Sequence, residues 1–208
     1  MKKKFCAIAL IATFSMPLMA DFLGVYAGID YRTIETSVDD NGSGFEDSNN
    51  LSGYLAIEHF IPLIPNVKLK YADLTSESSS TSNDASSSVI NTILYYELFD
   101  NDLFELDLGL AYSRLESVRD QSADIAQAYG AAKVHLPGMG MHVFAEVISG
   151  SFSDDEASDA TLGLAYTFNP DSLLINLSVR AGYRYQEIII DNVNQESKGL
   201  FAGLEAHF

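Results

Sequence analysis

The side chains best suited to chemistry in this chain are its four histidines, His59, His135, His142 and His207. A neutral imidazole acts as a general base or as a metal ligand, and a metal centre needs three or four converging ligands. His135 and His142 flank the turn Leu-Pro-Gly-Met-Gly, and only Glu146 lies close by in the sequence. Because this spacing supplies too few ligands, the sequence predicts no metal site here.

Two acidic segments raise the question of a calcium loop. They read VDDNGSGFEDSNN (38–50) and SDDEASD (153–159), and both offer carboxylate oxygens. The ligand spacing of an EF-hand is absent from each, and acidic, glycine-rich turns are commonly just solvated. Divalent cations that bridge these segments to phosphate groups remain an alternative. No cofactor is predicted.

The composition sets further limits on function. The chain of 208 residues has 12 basic and 29 acidic residues and a formal net charge of −17. Such a charge makes nucleic acid a poor partner, because the phosphate backbone is itself negative. Cys6 is the single cysteine, so neither a disulfide within the chain nor a thiolate metal site is available.

The first twenty residues have the pattern of an export signal. A basic start, MKKK, precedes the ten-residue apolar run FCAIALIATF, which is too short to span a bilayer, and Leu18-Met19-Ala20 supplies small residues at the end. We predict a cleaved signal peptide over 1–20 and a single domain over 21–208. No later apolar run reaches the length of a membrane helix.

The elements that must position the polar side chains are alternating segments. In LFELDLGLAY (103–112), apolar residues occupy every second position and Glu105, Asp107, Gly109 and Ala111 lie between them. A strand directs successive side chains to opposite faces, so one face is apolar and the other acidic or small. Ten segments follow this pattern: 22–34, 51–60, 67–72, 90–98, 103–112, 125–136, 141–147, 161–168, 173–185 and 200–208.

The connections between these segments alternate in length. Polar stretches of nine to thirteen residues at 37–49, 75–87, 116–124, 152–160 and 187–197 are separated by four short ones, IPLIPN, DND, PGMG and NPDS. Long loops on one side and short turns on the other are typical of a bacterial transmembrane barrel. We therefore predict an all-β fold, a transmembrane antiparallel up-and-down β-barrel with ten strands, or eight as the alternative.

The positions of the aromatic residues agree with a membrane barrel. Once this topology is imposed, aromatic rings on the apolar face fall near the strand ends, and aliphatic residues fill the middle. Two such girdles mark the two membrane interfaces. The predicted girdle residues are Tyr31, Tyr71, Tyr112, Tyr183 and Tyr185 at the outer side, and Tyr96, Phe104, Tyr166 and Phe168 at the periplasmic side.

The same alternation assigns most charged side chains of the strands to the face opposite the apolar one. If the apolar face meets lipid, the opposite face lines a narrow lumen, because the diameter of a barrel grows with its strand number. We expect charges of both signs to pair there and largely fill the bore. The predicted lumen charge network comprises Asp30, Arg32, Glu58, Lys68, Lys70, Glu97, Glu105, Asp107, Lys133, Glu146, Arg180, Arg184 and Glu205.

With these features the chain resembles the small outer-membrane β-barrel proteins of Gram-negative bacteria, over the whole segment 21–208. Its last strand ends in phenylalanine, and Leu204, Ala206 and Phe208 look like the signal that this family presents to the barrel-assembly machinery. The resemblance implies an outer-membrane location and contact with outer-membrane lipid and lipopolysaccharide. It is nearly silent about activity, because barrels of this size serve as anchors, adhesins, channels and enzymes.

Some barrels of the resembling class are proteases or lipid-modifying enzymes that keep catalytic His, Asp or Ser at the outer rim. All four histidines of this chain fall at strand ends predicted to be periplasmic, so we predict no catalytic residue and no enzyme. The favoured function is structural or surface interaction with a largely occluded lumen. A narrow passive channel for small or apolar solutes is the alternative, and an outer-membrane hydrolase is the lesser one.

The sixth alternating segment leaves two points open. Ala126, Ala128, Gly130 and Ala132 form a smooth stripe toward lipid, which predicts a flat contact for a second copy of the chain or for another protein. Residues 122–136 also fit an alanine-rich helix, which would break the even strand count of a bacterial barrel.

Overall fold

A computed structural model describes residues 23–38, 43–44, 48–61, 63–75, 87–116, 122–152, 155–170, 172, 174–191 and 193–208. The predicted signal peptide, 1–20, and most of the acidic segment 38–50 lie outside these ranges. Among the described residues, no helix has the length and apolarity needed to cross a membrane.

The described residues form ten long strands and one short one. In chain order they are β1 (Leu23–Val38), β2 (Ser43–Gly44), β3 (Ser48–His59), β4 (Asn66–Asp73), β5 (Ser88–Asp100), β6 (Phe104–Glu116), β7 (Ser122–Leu136), β8 (Met141–Phe152), β9 (Asp155–Thr167), β10 (Asn176–Ile190) and β11 (Val193–His207). Each long strand pairs antiparallel with its neighbours, and β11 closes on β1 from Tyr26↔His207 to Val38↔Gln195. The two-residue β2 pairs only with the end of β1.

The predicted up-and-down barrel is therefore confirmed, with ten barrel strands rather than eight. Residues 122–136, which the sequence left open between strand and helix, form β7 and pair with β6 and β8. Closure also removes the exposed sheet edges that an open sheet would present.

The alternation along each strand places apolar side chains on the outside. On β6, Leu110 is 71% exposed and Tyr112 50%, whereas the intervening Ala111 and Ser113 are buried. In a soluble protein the apolar side of such a strand would be the core. Here the apolar side is the outer wall, so the barrel has the inverted polarity of a membrane protein.

This polarity reverses beyond the tyrosines at one end of the barrel. After Tyr31, the outward residues of β1 become Thr33 and Glu35, while Ile34 is buried in the bore. The same change follows Tyr112 on β6, where Leu115 is buried. Water replaces lipid outside the wall at this height, so polar residues face outward and apolar residues pack inside.

The reversal explains an error in the predicted loops. The segments 152–160 and 187–197 were expected to be long polar loops, but β9 begins at Asp155, β10 continues to Ile190 and β11 begins at Val193. These residues still alternate, but with the polar side outward, so a search for a lipid-facing stripe does not find them. The strands therefore extend past the membrane on this side.

Candidate functional site

The candidate site is the interior of the barrel, which has a terminus end, where Leu23 and His207 lie, and a loop end. Strand β10 shows how the interior changes along the barrel axis. Its inward-facing residues Arg180, Arg184 and Ile188 follow one another toward the loop end. The first two are cations and the third is apolar. The interior thus changes from charged to apolar along the barrel.

The loop-side half of the charged region is organised around Asp159 and Glu146. Arg184 donates from Nε to Asp159 Oδ1 at 2.8 Å and binds Oδ2 with its second nitrogen, a bidentate pairing. Lys70 lies 3.1 Å from Asp159 Oδ2 and 2.5 Å from Glu146 Oε1. Lys68 pairs with the other Glu146 oxygen. Four strands are therefore connected across the bore by one chain of ion pairs.

A second group joins β1, β3, β10 and β11 through Arg180. Its Nε lies 3.1 Å from Asp30 Oδ1, and its Nη1 lies 3.3 Å from Glu205 Oε2. The same nitrogen donates to the Tyr54 hydroxyl at 2.8 Å, and that hydroxyl donates to Glu205. Each charge in this group thus has a partner of opposite sign.

The two groups together form what we term the middle network, defined as Lys68, Lys70, Arg180, Arg184, Asp30, Glu146, Asp159 and Glu205. Cations and acids are equal in number, and every member is at least 84% buried by its side-chain surface. This pairing offsets the cost of desolvating charges at such depth.

A third polar group lies at the terminus end. Glu105 pairs with Lys133 at 2.7 Å and with His135 Nε2 at 2.6 Å. Tyr95 donates to Glu58 at 2.7 Å. The charged side chains of the Glu105 pairs are more exposed than the middle network, with Glu105 at 23% and Lys133 at 29% of their side-chain surface, whereas Tyr95 is buried. They form the entrance to the interior from this end.

The remaining residues of the predicted charge network are less closely paired. Arg32 is buried on the loop side of Asp30, and its two terminal nitrogens make no hydrogen bond to any described residue. Asp107 is buried and lines the same cavity as Lys133. Glu97 lies exposed at the end of β5, beside a bulge between Glu97 and Phe99.

The histidines do not converge on a metal site in the described part of the chain. His135 and His142 are neighbours, with ring centroids 5.4 Å apart, and His207 stacks on Tyr26 at 4.0 Å. His135 is hydrogen-bonded to Glu105, not to Glu146. Among the described residues, no group of three or more His, Cys, Asp or Glu side chains could hold a metal ion.

The loop end of the interior is filled by apolar side chains. This loop-end cluster comprises Ile34, Ala72, Leu74, Val89, Leu115, Ala123, Ile125, Ala157, Ile188 and Ile190. Its members come from seven strands or their adjoining residues and are at most 8% exposed. A layer of buried amides and hydroxyls, including Asn91, Ser113 and Gln127, lies on the same inward faces and is linked by hydrogen bonds.

Two small cavities lie among the described residues of the interior. A cavity of about 70 Å³ at the terminus side is lined by Tyr54, Tyr95, Tyr129, Lys133 and Arg180 among others. A second of about 20 Å³ lies within the middle network. Since one water needs roughly 10 to 15 Å³ on this measure, these spaces suit a few waters.

Sequence reasoning missed two parts of this interior. Asp159 was assigned to a loop, although it is the carboxylate that Arg184 and Lys70 share. The loop-end cluster was not anticipated at all. The signal for both was present, because the alternation continues through Ala157 and Asp159 on β9 and through Ile188 and Ile190 on β10. Its polarity is reversed at Ala157, Ile188 and Ile190, where apolar residues face inward.

The outer wall carries the residues predicted to contact lipid. The girdle residues that lie exposed on it are Tyr31, Tyr71, Tyr112 and Tyr183 toward the loop end, and Tyr96, Tyr166 and Phe168 toward the terminus end. Tyr185 and Phe104 are half-buried. Leu204 and Phe208 are exposed, and Ala206 is half-buried, on or just after β11; Phe208 exchanges backbone hydrogen bonds with Val25 of β1.

Gly28 makes room for the tyrosine ring that contacts two members of the middle network. A Cβ atom at Gly28 would lie 2.6 Å from Cζ of Tyr54 and would overlap the tyrosine ring. The hydroxyl of this ring bridges Arg180 and Glu205. We expect Gly28→Ala to lower the free energy of unfolding by about 1–3 kcal/mol, because overpacking displaces that ring. Urea unfolding in lipid vesicles measures this change in the free energy of unfolding.

The matched control is Gly130→Ala on β7. Its Cβ would meet nothing closer than Leu108 Cδ2 at 3.5 Å, an ordinary contact. This variant should be as stable as the wild type or slightly more stable, since alanine restricts the unfolded chain. Equal losses in both variants would contradict the role given to Gly28.

A closed antiparallel barrel with an even number of strands, an exposed apolar wall and aromatic rings toward both ends of that wall defines the class of outer-membrane β-barrel proteins. The fold places this chain in that class and in the outer membrane.

Solved structures of similar architecture include Neisserial surface protein A, 19% identical, with a TM-score of 0.41, covering 88% of this chain and 95% of that one. The outer membrane protease OmpT from Escherichia coli is 7% identical, with a TM-score of 0.47 and coverage of 93% and 99%. The TodX monoaromatic hydrocarbon channel, in a deletion mutant, is 11% identical, with a TM-score of 0.41 and 90% of both chains covered. No family model and no curated protein matches the sequence.

Proposed function

We propose that this protein is a non-catalytic, occluded barrel that contributes to the envelope and holds surface segments at its loop end. The observation that carries the proposal is the packing of buried side chains at two successive levels of the bore. The paired charges of the middle network occupy one level, and the loop-end cluster occupies the next. A solute would have to displace both to pass.

The positions of the histidines support a non-catalytic role. His59 ends β3, His135 lies near the end of β7, His142 follows the start of β8 and His207 ends β11, so all four lie at the terminus end. A hydrolase acting at the cell surface needs its general base at the opposite end. Within the described ranges, the loop end of the barrel has no histidine.

Planar-bilayer recording tests the occluded bore directly. We expect the purified wild-type protein to give no conductance steps, because the two cavities found in its interior suit only a few waters. A porin inserted in the same bilayers is the positive control, since its larger barrel leaves an aqueous channel.

Reproducible wild-type steps would contradict the proposal and favour the narrow channel. Arg180→Ala then identifies the path, because Arg180 lies in the middle network and its loss should change the size of any step that passes through the bore. Steps that this variant leaves unchanged would instead come from the lipid or a contaminant.

A further inference from the structure

The β3–β4 turn at the terminus end is unusually apolar and unusually exposed. We call Phe60, Ile61, Leu63 and Ile64 the apolar turn; they are 59%, 44%, 90% and 52% exposed, respectively. Residues 60–66, FIPLIPN, contain no ionisable side chain. By contrast, the β5–β6 connection at the same end contains Asp102.

Leu63, the most exposed residue of the apolar turn, has an unusual backbone conformation. Leu63 has a φ of +73°, in the left-handed region where glycine or asparagine is the ordinary choice. The leucine side chain is therefore held at the tip of the turn. A position that favours a small or polar residue instead carries a large apolar one.

A hydrogen bond shows where the turn lies. The Tyr96 hydroxyl donates to the Leu63 carbonyl oxygen at 2.9 Å. Tyr96 belongs to the outer wall, since Leu94 and Tyr96 are exposed on β5 while Ile93 and Tyr95 are buried in the bore. The turn is thus tied to the lipid-facing side of the barrel and not to its opening.

The apolar turn is continuous with the outer wall below it. Ile57 on β3 and Val67 on β4 are paired and exposed immediately before and after it. Next to it, Leu98 and Phe99 at the bulge of β5 are 51% and 59% exposed. The apolar surface that meets the bilayer core therefore continues past the strand ends in this quadrant.

We infer that the apolar turn inserts into the interfacial region of the bilayer leaflet at the terminus end, and that its occupant is lipid. Apolar side chains without charge, flanked by a tyrosine, are the composition that membrane interfaces select. A soluble protein partner would need polar groups at the rim of the patch, and residues 60–66 supply only the Asn66 side chain, which His59 N already engages at 2.9 Å.

Site-directed fluorescence tests this insertion. In a Cys6→Ser background the introduced thiol is the only one in the chain, so Leu63→Cys and Ile61→Cys can each be labelled with an environment-sensitive dye. The matched control is Pro170→Cys, an exposed position in the β9–β10 connection at the same end, between Asn169 and Asp171. Full-length proteins are reconstituted in vesicles of phosphatidylethanolamine and phosphatidylglycerol, and folding is checked by heat-dependent gel migration.

We expect the dye at positions 61 and 63 to emit at shorter wavelength than at position 170 and to resist quenching by iodide. Lipids with a nitroxide near the glycerol backbone should quench it several-fold more than they quench the dye at position 170. Iodide quenching at positions 61 and 63 equal to that at position 170 would overturn the inference. Protection in native outer membranes but not in vesicles would also overturn it, because a protein would then cover the turn.

Discussion

Asp159→Asn should lower the free energy of unfolding by about 3–5 kcal/mol, the usual cost of removing one partner from a buried ion pair. Asp159 accepts the bidentate contact of Arg184 and also binds Lys70, and its side chain is only 8% exposed. The amide keeps the size of the carboxylate but loses its charge. Arg184 would then be buried at 4% exposure without an ionic partner.

Urea unfolding of the barrel in lipid vesicles measures this loss as a shift of the denaturation midpoint. The comparison requires that the dependence of the unfolding free energy on urea concentration is the same in both proteins. The matched control is Asp124→Asn, which removes the carboxylate of the exposed Arg114–Asp124 pair, 3.1 Å long and also between neighbouring strands. We expect no measurable change there, because water solvates both groups once the pair is broken.

A double variant separates the energy of the ion pair itself from the cost of leaving one charge buried without a partner. In Asp159→Leu/Arg184→Leu both charges of the bidentate contact are removed, while Lys70 keeps Glu146 as its partner. Replacing a whole buried pair with apolar residues is often nearly neutral. The double variant should therefore be more stable than Asp159→Asn alone. A double variant less stable than the single one would show that the contact itself, and not the unpaired charge, carries the energy.

Leu115→Ala should have the second-largest effect, a loss of about 2–5 kcal/mol in the free energy of unfolding. Leu115 is 1% exposed and belongs to the loop-end cluster, whose members come from several strands. Shortening it removes apolar burial and leaves a cavity that a closed barrel can hardly collapse, because its backbone hydrogen bonds fix the diameter.

Leu110→Ala on the same strand is the control. Leu110 lies five residues earlier on the opposite face and is 71% exposed on the outer wall. Acyl chains can close around a shortened side chain there, so no cavity remains and the loss should be clearly smaller. Equal losses of unfolding free energy for the two leucine variants would mean that the loop-end cluster is loosely packed. That result would count against the proposal of an occluded bore.

The two predictions concern the two levels of side chains that pack in the bore, and they also bear on the proposed function. In that proposal, each level closes the path by a different force, ion pairing in the middle network and apolar packing at the loop end. We expect Leu115→Ala to stay electrically silent in bilayers despite its lower stability, because the middle network still crosses the bore.

The sequence by itself determined the fold class and the sorting of side chains within the membrane. Strict alternation in segments such as 103–112 assigns Glu105 and Asp107 to one face and Leu108 and Leu110 to the other. The alternation of side chains between two faces is a local property of a strand, so it can be predicted without tertiary information. The same rule favoured ten strands but kept eight as an alternative, and it left residues 122–136 open between a strand and a helix until the structure assigned them to β7.

Only the tertiary structure decided which inward residues meet. Asp159 and Arg184 lie 25 residues apart and Lys70 and Glu146 lie 76 apart, and such contacts depend on register and on the inclination of strands around the barrel. The tertiary structure also set the height at which water replaces lipid, beyond which the same alternation builds a buried apolar cluster. A periodic pattern specifies two faces, but the surroundings of the closed barrel decide what each face touches.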